Sequence, residues 1–378
     1  MEVTEAMEVT KSKDRGSRVI VCVGPGGVGK TTTAAALGIA LAEQGQRVVV
    51  LTVDPARRLA NALGLAELAN HPTRVDLPRS VTGSLSALML DAAATFDDLV
   101  RKHAPSTERA DTILSNAFYR NISRSLSGTQ EYMAMEKFSE VALAPTDSNG
   151  TPVDPFDVVI VDTPPTKNGL DLLSSSERLL RLLDNRIFRA LMASPRGAGR
   201  VIGGAAQLAL RPLGRIIGTE VLADAVAFFQ AFEGMEDGFR QRSTAAQQLF
   251  RGSSSRWVLV TSPQRATVAE AQRLLSELAD RGIGIDAVIA NRVQPLALGL
   301  PKASSVVDSL RNAVERAEAA NVLARAQREV LGPLTDQVPR TVTIGLRNTD
   351  LHTIAHLRAF AESLGGREER GFVSALLR

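Results

Sequence analysis

Near its start the chain carries Gly24-Pro25-Gly26-Gly27-Val28-Gly29-Lys30-Thr31, which satisfies the spacing G-x-x-x-x-G-K-[ST]. Glycines at this spacing let the backbone fold into a concave nest whose N–H groups converge on a phosphate. The Ala-rich helix that leaves this turn adds the positive end of its dipole. The expected contacts run through Gly26, Gly27, Val28, Gly29, Lys30, Thr31 and Thr32. Lys30 would neutralise β- and γ-phosphate oxygens, and the Thr31 hydroxyl would ligate a Mg²⁺ that bridges the same oxygens. The chemistry is the gripping of a nucleoside triphosphate and transfer of its terminal phosphoryl group. A glycine-rich turn that merely caps a helix would have no use for Lys30 and Thr31.

Such a site needs carboxylates near the metal. Asp162 closes the apolar run "FDVVIVD" and fits an acid that acts on the Mg²⁺ shell; the plainer reading is a turn or helix cap. Asp54 follows "VVVLTV", where it could orient the attacking water or serve an Asp-Pro turn. Asn291 ends "IDAVIAN", and a side-chain amide that both donates and accepts suits the reading of adenine.

These residues sit where strands should end. "RVIVCVG", "RVVVLTV", "SLSALML", "FDVVIVD", "RWVLVTS", "IDAVIAN" and "TVTIGL" are short apolar runs, each read as followed by a longer helical pattern. Continuous apolar runs mark strands buried on both faces, which predicts a doubly wound α/β core with a mostly parallel sheet. The core should span residues 18–92, 151–185 and 253–366. Residues 93–150 and 186–252 are helical in pattern and too long for ordinary crossovers, so they read as insertions forming a helical subdomain. Ile113, Leu114, Phe118, Ile122 and Leu126 in the first insertion, and Val226, Phe228, Phe229, Phe232, Met235 and Phe239 in the second, lie at helical spacing. They either pack as a core or line an exposed client groove. Val307 to Leu331 reads as one long amphipathic helix covering the core. Residues 1–17 and 367–378 read as tails, the latter containing "GFVSALLR", too short and weakly amphipathic for a membrane anchor.

Composition bounds the rest. A net charge of +3 gives no basis for a nucleic-acid partner. The single cysteine, Cys22, lies inside an apolar run, which excludes an intrachain disulfide and a CxxC zinc site and points to a reducing, cytoplasmic compartment. The most apolar long window, "VIGGAAQLALRPLGRIIG", is interrupted by Arg211 and Arg215, so a spanning helix is not expected, although a peripheral position on a membrane is compatible.

With these residues in view, "GPGGVGKTTTAAALGIALAEQGQRVVVLTVDPA" resembles the deviant Walker A and switch I segments of the arsenical-pump and tail-anchored-protein-targeting ATPase family. "VDTPPTKNGLDLL" is similar to its switch II and "SGTQEYMAMEKFSEV" to its first helical-subdomain motif. "VTSPQRATVAEAQRLLSEL" resembles the strand and helix before its adenine-binding asparagine, and "GPLTDQV" its late adenine-side loop. The resemblance implies ATP and Mg²⁺ as ligands, and two subunits facing each other across bound nucleotide. It also implies a conformational change that either handles a hydrophobic membrane-protein client or couples hydrolysis to a membrane permease. Carried over by residue, Lys30 and Thr31 hold phosphate and metal, Asp54 positions water, Asp162 is the switch II acid and Asn291 contacts the base.

Three positions depart from the pattern. Pro25 stands where the family carries a signature lysine that reaches the partner's ATP, so a compensating cation such as Arg57 or Arg58, or a heterodimer with a lysine-bearing paralogue, is implied beside the simple homodimer. A subunit binding ATP with slow or regulatory turnover is a further alternative. Arg57 occupies the usual switch I histidine position, and no cysteine beyond Cys22 exists to bind a soft metalloid.

Overall fold

The computed structural model describes residues 17–54, 58–120, 129–143, 151, 153–164, 174–175, 181, 224, 226–228, 230–231, 234–305, 307–347, 351, 353–364 and 371–377. They form two compact units, one made of residues 1–89, 141–169 and 251–378, the other of 90–140 and 170–250.

The first unit is the expected α/β core. An eight-stranded sheet runs in the order β3-β4-β2-β5-β1-β6-β7-β8. Its strands are β1 (Arg18–Val23), β2 (Arg47–Thr52), β3 (Thr73–Arg74), β4 (Ser84–Met89), β5 (Val158–Asp162), β6 (Ser255–Thr261), β7 (Ala287–Val293) and β8 (Thr341–Gly345). Every pairing is parallel except β3 with β4. The seven apolar runs account for seven strands; β3, two polar residues on the edge, has too few positions to show a period. Because all seven run parallel, their C-terminal ends gather at one rim, where open α/β sheets bind ligands.

Helix α1 (Lys30–Glu43) leaves the glycine loop and is buried nearly all round, with Ala34, Ala35, Ala36, Leu37, Ile39 and Leu41 at 0 % exposure. A helix so wrapped needs small side chains on several faces, because it packs on the sheet below and on other helices above. Its cover is α2 (Arg58–Leu63), α9 (Ile354–Leu364) and α10 (Phe372–Ala375), the last two anchored by Phe360, Phe372, Val373 and Leu376. Arg358 Nε donates to Glu43 Oε1 at 2.6 Å, pinning α9 to the end of α1. This corrects the expectation of a C-terminal tail: "GFVSALLR" spends its apolar residues on the core rather than on solvent. At the other end, residues 1–16 lie outside the described residues, and Ser17 is held, its Oγ donating to Phe156 O at 2.7 Å. Two further helices complete this unit: α7 (Arg265–Ala279) and α8 (Asp308–Thr335), which pack on each other. The long amphipathic helix therefore exists, and it extends through Gly332 and Pro333, so "GPLTDQV" begins inside a helix rather than forming a loop.

In the second unit the described elements are helical: α3 (Ala92–His103), α4 (Thr107–Ser115), most of α5 (Thr129–Leu143) and α6 (Glu236–Arg251). Asp91 Oδ1 caps α3 by accepting from Ala94 N at 2.9 Å, and the basic last turn Arg101-Lys102-His103 complements the dipole. Of the apolar positions at helical spacing, some form this unit's interior, whereas Leu114, Phe118 and Val226 are only partly buried. Ile113, Phe228, Met235 and Phe239 are buried, and aromatic pairs Tyr119–Phe228, Tyr132–Phe239 and Phe138–Phe250 stack or tilt against one another. For these residues the core reading replaces the exposed groove; Ile122, Leu126, Phe229 and Phe232 lie outside the described residues. Inside the same unit Glu136 accepts from Arg242 Nε at 2.7 Å and from the Tyr132 hydroxyl. Removing one partner strands a buried charge, so Arg242→Met is expected to destabilise the helical unit by about 3 kcal/mol, read as an early transition by limited proteolysis within residues 90–140 and 170–250.

Candidate functional site

The loop between β1 and α1 is built on glycines in backbone conformations that other residues rarely adopt. Gly24 has φ +148° and Gly29 φ +97°; a Cβ on Gly24 would lie 2.0 Å from Val260 O, and one on Gly29 would lie 2.5 Å from Asn291 Nδ2. The neighbour of Gly24 is backbone in the middle of the sheet and cannot yield. Gly24→Ala is therefore expected to cost at least about 3 kcal/mol and to lower the melting temperature by roughly 8 °C or more. Gly29 in left-handed conformation is the N-cap of α1, so the helix N–H groups open toward the loop. Pro25 is buried, whereas Gly26 and Gly27 form the exposed rim. Lys30 is 7 % exposed, and its Nζ donates to Gly24 O and Pro25 O, both at 2.9 Å. Burial lowers its pKa, opposed chiefly by the carboxylate of Asp162.

Strand register assembles the acid centre. Cys22 of β1 and Thr52 of β2 both pair with Asp162 at the end of β5. Asp162 is fully buried; its Oδ2 accepts from Thr31 Oγ1 at 2.7 Å and from Thr52 Oγ1 at 3.0 Å, while its Oδ1 has no hydrogen-bond partner. Burial raises its pKa to about 6, and the two hydroxyls and Lys30 pull it back only in part. A buried carboxylate oxygen left unsatisfied beside a hydroxyl is the donor set that Mg²⁺ accepts. Thr31 and Asp162 thus fit the metal, which would neutralise phosphate charge when bound with nucleotide.

Two cavities adjoin this centre. One, of about 330 Å³, is lined by Gly27, Gly29, Lys30, Thr31, Asp54 and Thr163 together with Arg58 and Arg292. The other, of about 340 Å³, shares Gly29, Thr32, Arg58 and Arg292 and continues past Asn61, Asn291 and Leu346 to Phe360. The first has the charge for phosphates. The second, partly apolar, has room for a base and sugar. Asp54 lies on the phosphate side, where Arg58 Nη1 stands 3.8 Å from its Oδ2. Asn291 lines the base side, but its amide is also structural: Nδ2 donates to Val28 O at 2.9 Å and Oδ1 accepts from Arg292 N at 2.9 Å. One amide hydrogen and one lone pair remain for a ligand.

Sequence reasoning missed Thr52, Thr163, Arg292 and the segment Gly345–Arg347 at the end of β8. Thr163 Oγ1 donates to Cys22 O at 2.8 Å, binding the residue after Asp162 back to β1. Gly345, Leu346 and Arg347 at the end of β8 line the base cavity, whereas "GPLTDQV", the segment expected there, does not. Arg57 and the switch II residues beyond Pro164 lie outside the described residues.

A glycine-rich nest closing on Lys30, a hydroxyl–carboxylate metal pair and a parallel sheet that gathers them at one rim define the P-loop nucleoside triphosphatases. Within that class, the chain belongs to the anion-transporting ATPase family, whose model matches residues 17–298. It is 31 % identical over 288 residues to an uncharacterized protein of Streptomyces coelicolor, an alignment covering 74 % of this chain and 63 % of that protein. It is 25 % identical over 288 residues to an ATPase ASNA1 homolog of Cryptosporidium parvum, covering 76 % of this chain and 68 % of that one. The arsenical pump-driving ATPase of Escherichia coli is 28 % identical over 316 residues, covering 83 % of this chain and 44 % of the pump ATPase. The chain thus spans less than two thirds of the Streptomyces protein and less than half of the pump ATPase. Among the described residues no helix is long and apolar enough to cross a membrane.

Proposed function

We propose that the chain is a Mg²⁺-dependent ATPase that works as a dimer, and that its nucleotide-driven change of shape handles a hydrophobic membrane-protein client from the cytoplasm. The observation that carries the nucleotide reading is Asp162, a buried carboxylate joined to Thr31 and facing Lys30, with one oxygen unsatisfied. In this reading Lys30 and the loop from Gly26 to Thr32 hold the phosphates. Asp54 orients the attacking water and Asn291 offers its remaining amide functions to the base. The dimer is either a homodimer or a pairing with a lysine-bearing paralogue, because Pro25 can supply no cation to a neighbour.

A second reading, a subunit that drives anion transport at a membrane permease, draws support from the family description and from the name of the Escherichia coli relative. The composition argues against soft metalloids as the signal, since the one thiol, Cys22, is buried. Light scattering with and without a non-hydrolysable ATP analogue tests the core of the proposal. A nucleotide-dependent shift from the 40.3 kDa chain to a species of twice the mass is expected, alone or with a copurifying paralogue. A monomer that neither binds nor hydrolyses ATP overturns it. Companions recovered in the trapped state then separate client from permease: a single apolar helix favours the first, a multispanning protein the second.

A further inference from the structure

Resting on the nucleotide-site reading above, we infer that Arg292 contacts the triphosphate within its own subunit and supplies the cation that Pro25 cannot send to a neighbour. Four observations converge on this side chain. The pairing of β7 with β8 shifts register between Ala290 and Val293, so Asn291 and Arg292 occupy the irregularity. Such irregularities beside sites turn side chains out of the ladder, and Arg292 is exposed while the rest of β7 is buried. Arg292 is also the one non-glycine residue with positive φ, +59°, among the described residues. A non-glycine backbone in that region is disfavoured, and it persists where the surroundings enforce it, often at a site. Here the enforcing contact is the Arg292 N–H held by Asn291 Oδ1.

The direction taken is toward phosphate. Arg292 Nη1 donates to Gly27 O at 3.1 Å, on the exposed rim of the nest, and the residue lines both cavities. A guanidinium has five N–H donors, and one bond to a neutral carbonyl leaves the fork free to take phosphate oxygens bidentately. Among the described residues no carboxylate pairs with it. Arg58, the other arginine common to both cavities, already stands against Asp54. A strand position adjacent to the base-side asparagine thereby delivers positive charge to the phosphate side. The same residue also braces the loop through Gly27 O, and a brace alone would act on affinity rather than on turnover.

Kinetics of the purified full chain test this with Arg292→Ala, Arg292→Lys and Asp54→Asn, using Mg·ATP for turnover and a fluorescent ATP analogue for binding. The wild-type chain alone is expected to turn over; Arg292→Ala should lower kcat at least 100-fold while the analogue's Kd rises by no more than about fivefold. Arg292→Lys, a point charge without the fork, should recover part of the loss. An equimolar mixture of Arg292→Ala and Asp54→Asn should stay inactive, because each site then lacks a group of its own. Activity regained in the mixture overturns the inference, as it means that Arg292 works across the dimer. Unchanged kcat in Arg292→Ala, or a loss confined to Kd, overturns it as well. A wild-type chain that binds the analogue but does not turn over ATP sinks this inference and leaves the nucleotide site standing. A chain with no affinity for the analogue brings down the site reading itself.

Discussion

Lys30→Ala is expected to cut ATP turnover on the order of a thousandfold, the scale seen when a preorganised charge or donor is removed from a developing phosphoryl or oxyanion charge. The structure explains why the loss is one of chemistry. Lys30 Nζ folds back on Gly24 O and Pro25 O, so in this conformation the ammonium spans the open loop and is held at the nest by neutral carbonyls. Moving to a phosphate exchanges those carbonyls for a far stronger charged partner. Stability should change little, since burial already disfavours the charged lysine and its removal relieves that penalty while costing two hydrogen bonds. Steady-state turnover set beside a thermal melt checks both halves. A variant with normal turnover would mean that the loop does not grip the triphosphate.

Asp162→Asn should make the ligand-free protein more stable at neutral pH while abolishing Mg²⁺-dependent turnover. The sign follows from Asp162, whose pKa is raised by burial from 3.8 to about 6. In the window between those values the folded chain holds a proton that the unfolded chain has released. The contribution is fully present below the lower value and is lost as pH rises through the upper one, a fall of roughly 3 kcal/mol. Urea titrations in EDTA at about pH 4 and about pH 7.5 should show this decline in the wild type and a flatter profile in the variant. Asparagine can still accept from Thr31 and Thr52, so the local hydrogen bonds survive. Mg²⁺ with nucleotide reverses the preference, because a bound cation favours the ionised acid. The wild type should therefore gain more stability than the variant when Mg·nucleotide is added. Equal stabilisation of both would remove Asp162 from the metal shell.

The parts of this molecule legible in sequence are those where one local signal decides the outcome. Apolar runs such as "RVIVCV", "RVVVLT" and "VVIVD" mark strands covered on both faces, whereas β4 and β8 alternate between buried and more exposed positions, and the glycine loop with Lys30 leads the first strand into a helix. What escaped depends on pairing between distant segments. The partnership of Thr52 with Asp162 is set by register between β2 and β5, which no single segment displays. Arg292 takes its position from a slip between β7 and β8, visible neither in propensity nor in period. "GPLTDQV" carries Gly and Pro, ordinary loop signals, yet Gly332 and Pro333 are absorbed into the last turns of α8, and Gly345 to Arg347 at the end of β8 reach the base cavity instead. Phe228 and Phe239 had helical spacing that fits a core and a groove equally. Only the neighbours, Tyr119 and Tyr132, decide for the core.

Cys22 gives the protein an internal clock. The chain has a single thiol, which lies at 0 % exposure in the centre of the sheet, between β5 and β6, with a pKa lifted by burial far above its ordinary value. A thiol so placed meets neither alkylating reagents nor peroxide while the sheet is closed. Its labelling rate under native conditions therefore measures how often the central strands part, and bound nucleotide should slow that rate in proportion to its affinity.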